Sequence, residues 1–148
     1  MTGAVHVRPA TAEDLAAVLG LLAQLHPERP EVPPADDVGA VWTSMLAQPD
    51  RTVFVAELDG EVCGVADLMV VPNLTHDAQP WSIVENVVVD EPRRGRGIGR
   101  TLMDAVVRTA RDAGAYKVQL LSADGRDAHA FYEAIGFEPR AQGFRLYL

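Results

Sequence analysis

The feature that most constrains this chain is the stretch from Ser82 to Thr109, SIVENVVVDEPRRGRGIGRTLMDAVVRT. It reads as a strand, a loop of glycine and arginine, and a helix. Ile83, Val84, Val87, Val88 and Val89 form a β-branched run broken only by Glu85 and Asn86, which predicts a largely buried strand ended by Asp90, Glu91 and Pro92. Ile98, Leu102, Ala105, Val106 and Thr109 recur at helical spacing, with Met103, Val107 and Ala110 widening the stripe. The helix they predict starts near Gly97.

The connecting loop runs Arg93-Arg94-Gly95-Arg96-Gly97-Ile98-Gly99-Arg100. Glycine has no Cβ to hold a ligand away from the backbone, and the first N–H groups of a helix have no intrahelical acceptor, so an anion is the natural occupant. Four arginines against Glu91 give the loop a local charge of +3 in a chain whose net charge is −8. A P-loop would need G-x-x-x-x-G-K-(S/T), but Arg100 and Thr101 follow Gly99 and no glycine stands five positions before it. A dinucleotide-binding turn needs G-x-G-x-x-G after the first strand of the fold, whereas G-x-G-x-G comes late here. A turn that merely happens to be basic leaves three alternate glycines without a reason.

A chain of 148 residues, 48% of them hydrophobic, suits one soluble domain spanning 1–148. The apolar runs are short and no signal-peptide pattern opens the chain, so neither a membrane partner nor export is expected, and the cytoplasm is the default location. The acidic net charge argues against a nucleic-acid partner. Cys63 is the only cysteine; between Val62 and Gly64 it reads as a buried strand residue rather than a nucleophile.

Along the chain, Val5 and Val7 predict a short strand, and Thr11-Ala12-Glu13-Asp14 a capping box before a helix carrying Leu15, Val18, Leu19, Leu22 and Leu25 and ending near His26-Pro27. A proline-rich loop from Pro27 to Pro34 precedes a second helix marked by Val38, Val41, Trp42, Met45 and Leu46. Thr52 to Leu58 and Glu61 to Val71 read as strands joined by the hairpin signal Asp59-Gly60, with a bend or bulge at Cys63-Gly64. Pro72 to Pro80 is a polar connector. Asn73-Leu74-Thr75 matches the glycosylation sequon, with no relevance for an unexported chain. Gly114 stops the long helix, Tyr116 to Leu121 predict a fifth strand, Asp127 begins a last helix with Ala128, Phe131, Tyr132 and Ile135 on one side, and Phe144, Leu146 and Leu148 alternate as a final strand. The order β-α-α-β-β-β-α-β-α-β predicts a mixed α/β fold with helices about a sheet.

The segment V-V-V-D-E-P-R-R-G-R-G-I-G-R-T-L-M contains R-x-x-G-x-G from Arg94 to Gly99 and resembles the acyl-CoA-binding motif (Q/R)-x-x-G-x-(G/A) of the GCN5-related N-acetyltransferase (GNAT) superfamily. The segment Ala128-His129-Ala130-Phe131-Tyr132-Glu133-Ala134-Ile135-Gly136-Phe137 resembles that family's closing motif A-x-x-(L/F)-Y-E-x-x-G-F. The likeness covers nearly the whole chain and implies a central mixed, mostly antiparallel sheet. It implies acetyl-CoA as the acyl donor, with no metal. The main-chain N–H groups of Arg94, Gly95, Arg96, Gly97, Ile98, Gly99 and Arg100 would hold the diphosphate, and Val87, Val88 and Val89 the pantetheine arm. Locally, I-V-E-N-V-V-V and Gly114-Ala115-Tyr116-Lys117-Val118 are similar to segments of glucosamine-6-phosphate N-acetyltransferases.

Acyl transfer to a primary amine makes three demands: the amine loses a proton, the carbonyl oxygen needs a hydrogen-bond donor, and the leaving thiolate is neutralised. Tyr132 is the expected acid, its pKa of about 10 matching a thiolate's conjugate acid near or above about 8.5, with packing against the donor as the other reading. Glu85 is the candidate for the first demand, since a carboxylate on an apolar strand is costly to bury unless paired or functional; a structural salt bridge is the alternative. At about 4.3 its ordinary pKa is far below an alkylammonium's, so it would act through a water, with a raised pKa, or by orienting the amine. The Val87 N–H is the implied donor to the carbonyl. His129, three residues before Tyr132, reads as a partly exposed helix residue or a base, and His26 as a solvated helix end or a substrate contact.

Many relatives place an asparagine seven residues before the tyrosine; here that position is Gly125, with Ser122 and Asp124 as substitutes and Arg126 either binding phosphate or solvated. The expectation is an acetyl-CoA-dependent N-acetyltransferase acting on a small-molecule amine by direct attack in a ternary complex, with the tail Phe144 to Leu148 able to complete a homodimer. A non-catalytic acyl-CoA-binding or sensing domain of the same fold is the alternative, and a nucleotide-dependent oxidoreductase a weaker third.

Overall fold

The computed structural model describes residues 3–25, 35–123 and 127–148. Its five strands are β1 (His6–Pro9), β2 (Arg51–Leu58), β3 (Glu61–Val71), β4 (Trp81–Val89) and β5 (Val118–Gln119), adjacent in that order. All pairs are antiparallel except β4 with β5. The helices are α1 (Leu15–Ala23), α2 (Ala35–Ala47), the four-residue turn α3 (Thr75–Ala78), α4 (Ile98–Asp112) and α5 (Ala128–Ala134). This is the mixed, mostly antiparallel α/β sheet expected.

Local chemistry sets the boundaries. Asp59 and Gly60 both take left-handed backbone conformations, φ 54° and 80°, which join β2 to β3 with the twist a two-residue hairpin requires. Ala56 pairs with Gly64 but Glu57 with Val62, so Cys63 is the extra residue of a β-bulge; its side chain is fully buried. Asp14 accepts the Thr11 N–H at 2.7 Å, closing the predicted capping box. At the far end of α4, Gly114 (φ 80°) donates to the Arg111 carbonyl and Ala115 to that of Ala110, which ends the helix.

Period-two alternation divides the core between the sheet's two faces. Phe54, Ala56, Leu58, Ala66, Leu68 and Val84 meet Ile98, Leu102, Met103, Val106 and Ala110 of α4. Val53, Val55, Val65 and Val88 meet Val18 and Leu21 of α1 and Trp42 of α2. A second bulge shifts the β3–β4 register between Val65 with Val88 and Asp67 with Glu85, and Asn86 there has φ 54°. Beyond it Val88 faces α1 and α2, while Val87 and Val89 pack toward α4.

Three expectations need correction. The strand predicted from Tyr116 to Leu121 is only Val118–Gln119, paired with Ser82 and Ile83. Past Ile83 the Asn86 bulge redirects β4, so Leu120 and Leu121 find no ladder. From Glu85 to Val89, β4 therefore has β3 on one side and, among the described residues, no strand on the other. The final strand at Phe144, Leu146 and Leu148 does not form: these side chains and Tyr147 are exposed, and alternation without a partner strand has no ladder to join. The connector from Pro72 to Pro80 holds α3, where His76, Asp77 and Ala78 all have positive φ. Asn73 braces it by donating to Thr75 and to the Gln79 carbonyl, and His76 stacks on Tyr116 at 3.9 Å. No helix among the described residues is long and apolar enough to cross a membrane.

Candidate functional site

At the end of β4 the Asp90 N–H donates to the Cys63 carbonyl at 2.9 Å, and Glu91–Arg93 form a 3-10 turn with Pro92 inside it. Arg94 Nε donates to the Val89 carbonyl at 3.1 Å, folding the loop back on the strand. Gly95 (φ 80°) and Gly97 (φ 79°) then adopt the left-handed region, which explains two of the three glycines. The first helical bond runs from the Thr101 N–H to the Gly97 carbonyl. The N–H groups of Gly95, Arg96, Gly97, Ile98, Gly99 and Arg100 have no acceptor among the described residues. Six consecutive unpaired donors at the positive end of a fifteen-residue helix form an anion cradle.

The side chains around the cradle divide by task. Arg94, Arg96 and Arg100 are exposed, whereas Arg93 is paired with Glu61 and stands 3.9 Å from Asp90, so it braces the loop. Ile98 is buried in the core and contributes only main chain to the cradle. Gly99 is small for packing: a Cβ there would lie 3.1 Å from Phe131 Cζ and 3.5 Å from Val89 Cγ2. Strand, cradle and α5 therefore meet at this residue. No sequence pattern singles out Gln24, yet its side chain bridges the end of α1 to Asp90 and Glu91.

Glu85 is exposed, which corrects the premise that it is a costly buried charge; it makes no ion pair among the described residues. The bulge at Asn86 holds it at the open edge of the β4 ladder. The buried carboxylate is instead Asp67, its partner across β3 and β4, only 2% exposed. Arg51 clamps it, Nε to Oδ1 at 2.9 Å and an Nη to Oδ2 at 2.5 Å, which raises the guanidinium pKa. An isolated acid within the apolar run V-A-D-L-M was the signal that could have found it.

On α5, Phe131, Tyr132 and Ile135 pack toward the α4 side of the core. The Tyr132 ring meets Phe131 edge-on at 5.2 Å and Phe137 at 5.8 Å. Burial pushes its phenol pKa up from 10, so the proton-donating form holds across neutral pH. His129 Nε2 lies 3.3 Å from the Ser122 carbonyl oxygen and tethers α5 to the segment after β5. His26, Asp124, Gly125 and Arg126 lie outside the described residues.

The cradle, with free N–H groups, two left-handed glycines and three exposed arginines, fits a diphosphate. The exposed edge of β4 beside it can hydrogen-bond an extended chain through main-chain groups. Comparison with known proteins gives the same direction. The family model described as "Acetyltransferase (GNAT) family" matches residues 17–137. The chain is 31% identical over 148 residues to the glucosamine 6-phosphate N-acetyltransferase of Trypanosoma brucei brucei, covering 96% of this chain and 95% of that one. It is 35% identical over 143 residues to the aminoglycoside N(6')-acetyltransferase type 1 of Stenotrophomonas maltophilia, covering 89% and 85%. A solved chain from Agrobacterium tumefaciens str. C58, assigned as an acetyltransferase, superimposes with a TM-score of 0.91 at 44% identity, covering 97% of this chain and 99% of that one.

Proposed function

The chain belongs to the GNAT family of acetyltransferases and is an acetyl-CoA-dependent N-acetyltransferase, and from that premise we propose how its own residues carry out the transfer. Residues 1–148 act as one catalytic domain. Its cradle, the main-chain N–H groups of Gly95 to Arg100, takes the diphosphate, with the Arg94, Arg96 and Arg100 side chains adding charge at the rim; the Arg94 N–H, expected to join the cradle, is instead donated to the Glu91 carbonyl. The open edge of β4 at Val87, Val88 and Val89 takes the pantetheine arm through backbone hydrogen bonds. The side chains there are packed in the core and need only be apolar.

Acetyl-CoA supplies an already activated thioester, so no covalent attachment to the enzyme is needed. The Val87 N–H donates to the carbonyl oxygen as it gathers charge. Tyr132, kept protonated by burial, gives its proton to the departing sulfur. Glu85, exposed on the face that α1 and α2 cover, orients the incoming amine and receives its proton directly or through water. Holding the amine and the thioester together contributes the rest.

The acceptor is the primary amine of a small molecule. Relatives named for glucosamine 6-phosphate, aminoglycosides and aminoalkylphosphonate support that class. The exposed apolar tail at Phe144, Leu146, Tyr147 and Leu148 supports a homodimer that covers it, which light scattering checks. The single observation that carries the functional reading is the run of six unpaired N–H groups from Gly95 to Arg100. Thiol release from acetyl-CoA across a panel of amines, amino sugars and aminoglycosides tests it. Release with any of them supports transfer; binding of coenzyme A with no release from the whole panel favours a sensing domain.

A further inference from the structure

Gln24 caps the C-terminal end of α1, and its carboxamide reaches across the fold to the start of the cofactor loop. The amide nitrogen donates to Asp90 Oδ1 at 2.9 Å, and the amide oxygen accepts the Glu91 N–H at 3.0 Å. A carboxamide presents one donor and one acceptor side by side, which is the complement of a carboxylate followed by a main-chain N–H. Neither leucine nor glutamate matches both. The bond to Asp90 is charge-assisted and therefore stronger than one between neutral groups.

Position matters more than bond count here. Asp90 and Glu91 are the first residues past β4, and the 3-10 turn they open carries the chain to Arg94 and the cradle. Their place is set by four neighbours: the Cys63 carbonyl on β3, which accepts the Asp90 N–H; Arg93 and Arg94, which donate their N–H groups to the Asp90 and Glu91 carbonyls; and Gln24. Of these only Gln24 ties the loop to α1. Gly95 and Gly97 give the next residues wide backbone freedom, so the aim of the cradle depends on how firmly its entry is held. A loop that must be ordered at the moment of binding costs affinity.

We propose that Gln24 is a positioning residue of the cradle, holding the Asp90–Glu91 peptide so that the unpaired N–H groups from Gly95 to Arg100 converge on one anion. It touches neither the reacting atoms nor the diphosphate and acts through the loop. The proposal rests on the cradle being the coenzyme A site. It also makes α1, which covers the Glu85 face of the sheet, a mechanical neighbour of the donor site on the other side of β4.

The test is coenzyme A binding by isothermal titration calorimetry to the full chain, paired with the melting temperature of the ligand-free protein. Gln24→Leu should weaken binding about tenfold, the equivalent of one to two modest hydrogen bonds, with the melting temperature within about 2 °C of wild type. Gln24→Glu should weaken it at least as much, because its carboxylate faces that of Asp90. Adding Asp90→Asn to Gln24→Glu reverses the polarity of the bridge and should recover affinity to within about threefold of wild type. Binding by Gln24→Leu within twofold of wild type overturns the proposal, as does a double variant no better than Gln24→Glu. A melting temperature lowered by more than about 2 °C alongside the lost affinity makes Gln24 part of the fold and also overturns it. Wild-type protein that fails to bind coenzyme A removes the cradle reading first, and this one with it.

Discussion

Gly99 and Phe131 are in contact across two helices: a Cβ on Gly99 would stand 3.1 Å from Phe131 Cζ. The first turn of α4, which offers its N–H groups to the donor, thus rests directly on the helix that carries Tyr132. Phosphate grip and proton donor share one packing contact. A small residue at position 99 is what lets them stand so close.

Gly99→Ala should therefore act at both ends. Forcing a methyl against Phe131 costs about 1 kcal/mol of stability, readable by urea denaturation. Displacing α5 should also slow turnover several-fold, more than it weakens coenzyme A binding. Unaltered stability and turnover would show that α5 yields freely and that the contact matters little.

Tyr132→Phe removes the phenol and keeps the ring that packs on Phe131 and Phe137. Steady-state kinetics should show turnover falling about 100-fold or more, in the range of a lost general acid, with coenzyme A affinity within twofold. Full turnover in this variant would eliminate Tyr132 as the proton donor.

Two carboxylates face each other across β3 and β4, and they should behave differently. Asp67→Ala leaves Arg51 without its clamp in a half-buried setting and should cost about 3 kcal/mol by chemical denaturation. Glu85→Gln should leave stability unchanged and lower turnover, because the exposed side chain has no structural partner among the described residues. A destabilised Glu85→Gln would return that residue to a structural role.

How much of this was legible in the sequence depended on whether the signal was local. The hairpin at Asp59-Gly60, the bulge at Cys63, the capping box at Asp14 and the start of α4 at Gly97 all follow from short-range backbone chemistry, and each stands where it was expected. Apolar neighbours make Glu85 read as buried; the left-handed Asn86 that exposes it leaves no mark that pattern reading detects. The alternation from Phe144 to Leu148 is a strand pattern without a strand beside it, and sequence period does not report whether a partner is present. Gln24 was invisible because both its partners lie more than sixty residues away.

Acid should act through Asp14. Arg8 grips it with two bonds, 2.7 and 2.9 Å, while also holding Glu57, and the guanidinium lowers the Asp14 pKa from 3.8 to about 2. A carboxylate whose folded pKa lies below its unfolded value contributes stability in full above the unfolded pKa and loses it as pH falls through the folded one. The contribution, about 2 kcal/mol, should therefore be present at neutral pH and disappear between about pH 4 and pH 2. Asp14→Asn should be less stable than wild type at pH 7, the gap closing across that window. A gap that stays constant down to pH 2 would refute the assignment.

The most direct measurement is a crystal structure with coenzyme A bound. The diphosphate oxygens should lie within about 3.2 Å of main-chain nitrogens between Gly95 and Arg100, with the pantetheine arm along Val87 to Val89. A diphosphate bound elsewhere, with those nitrogens facing only solvent, would contradict the account at its foundation.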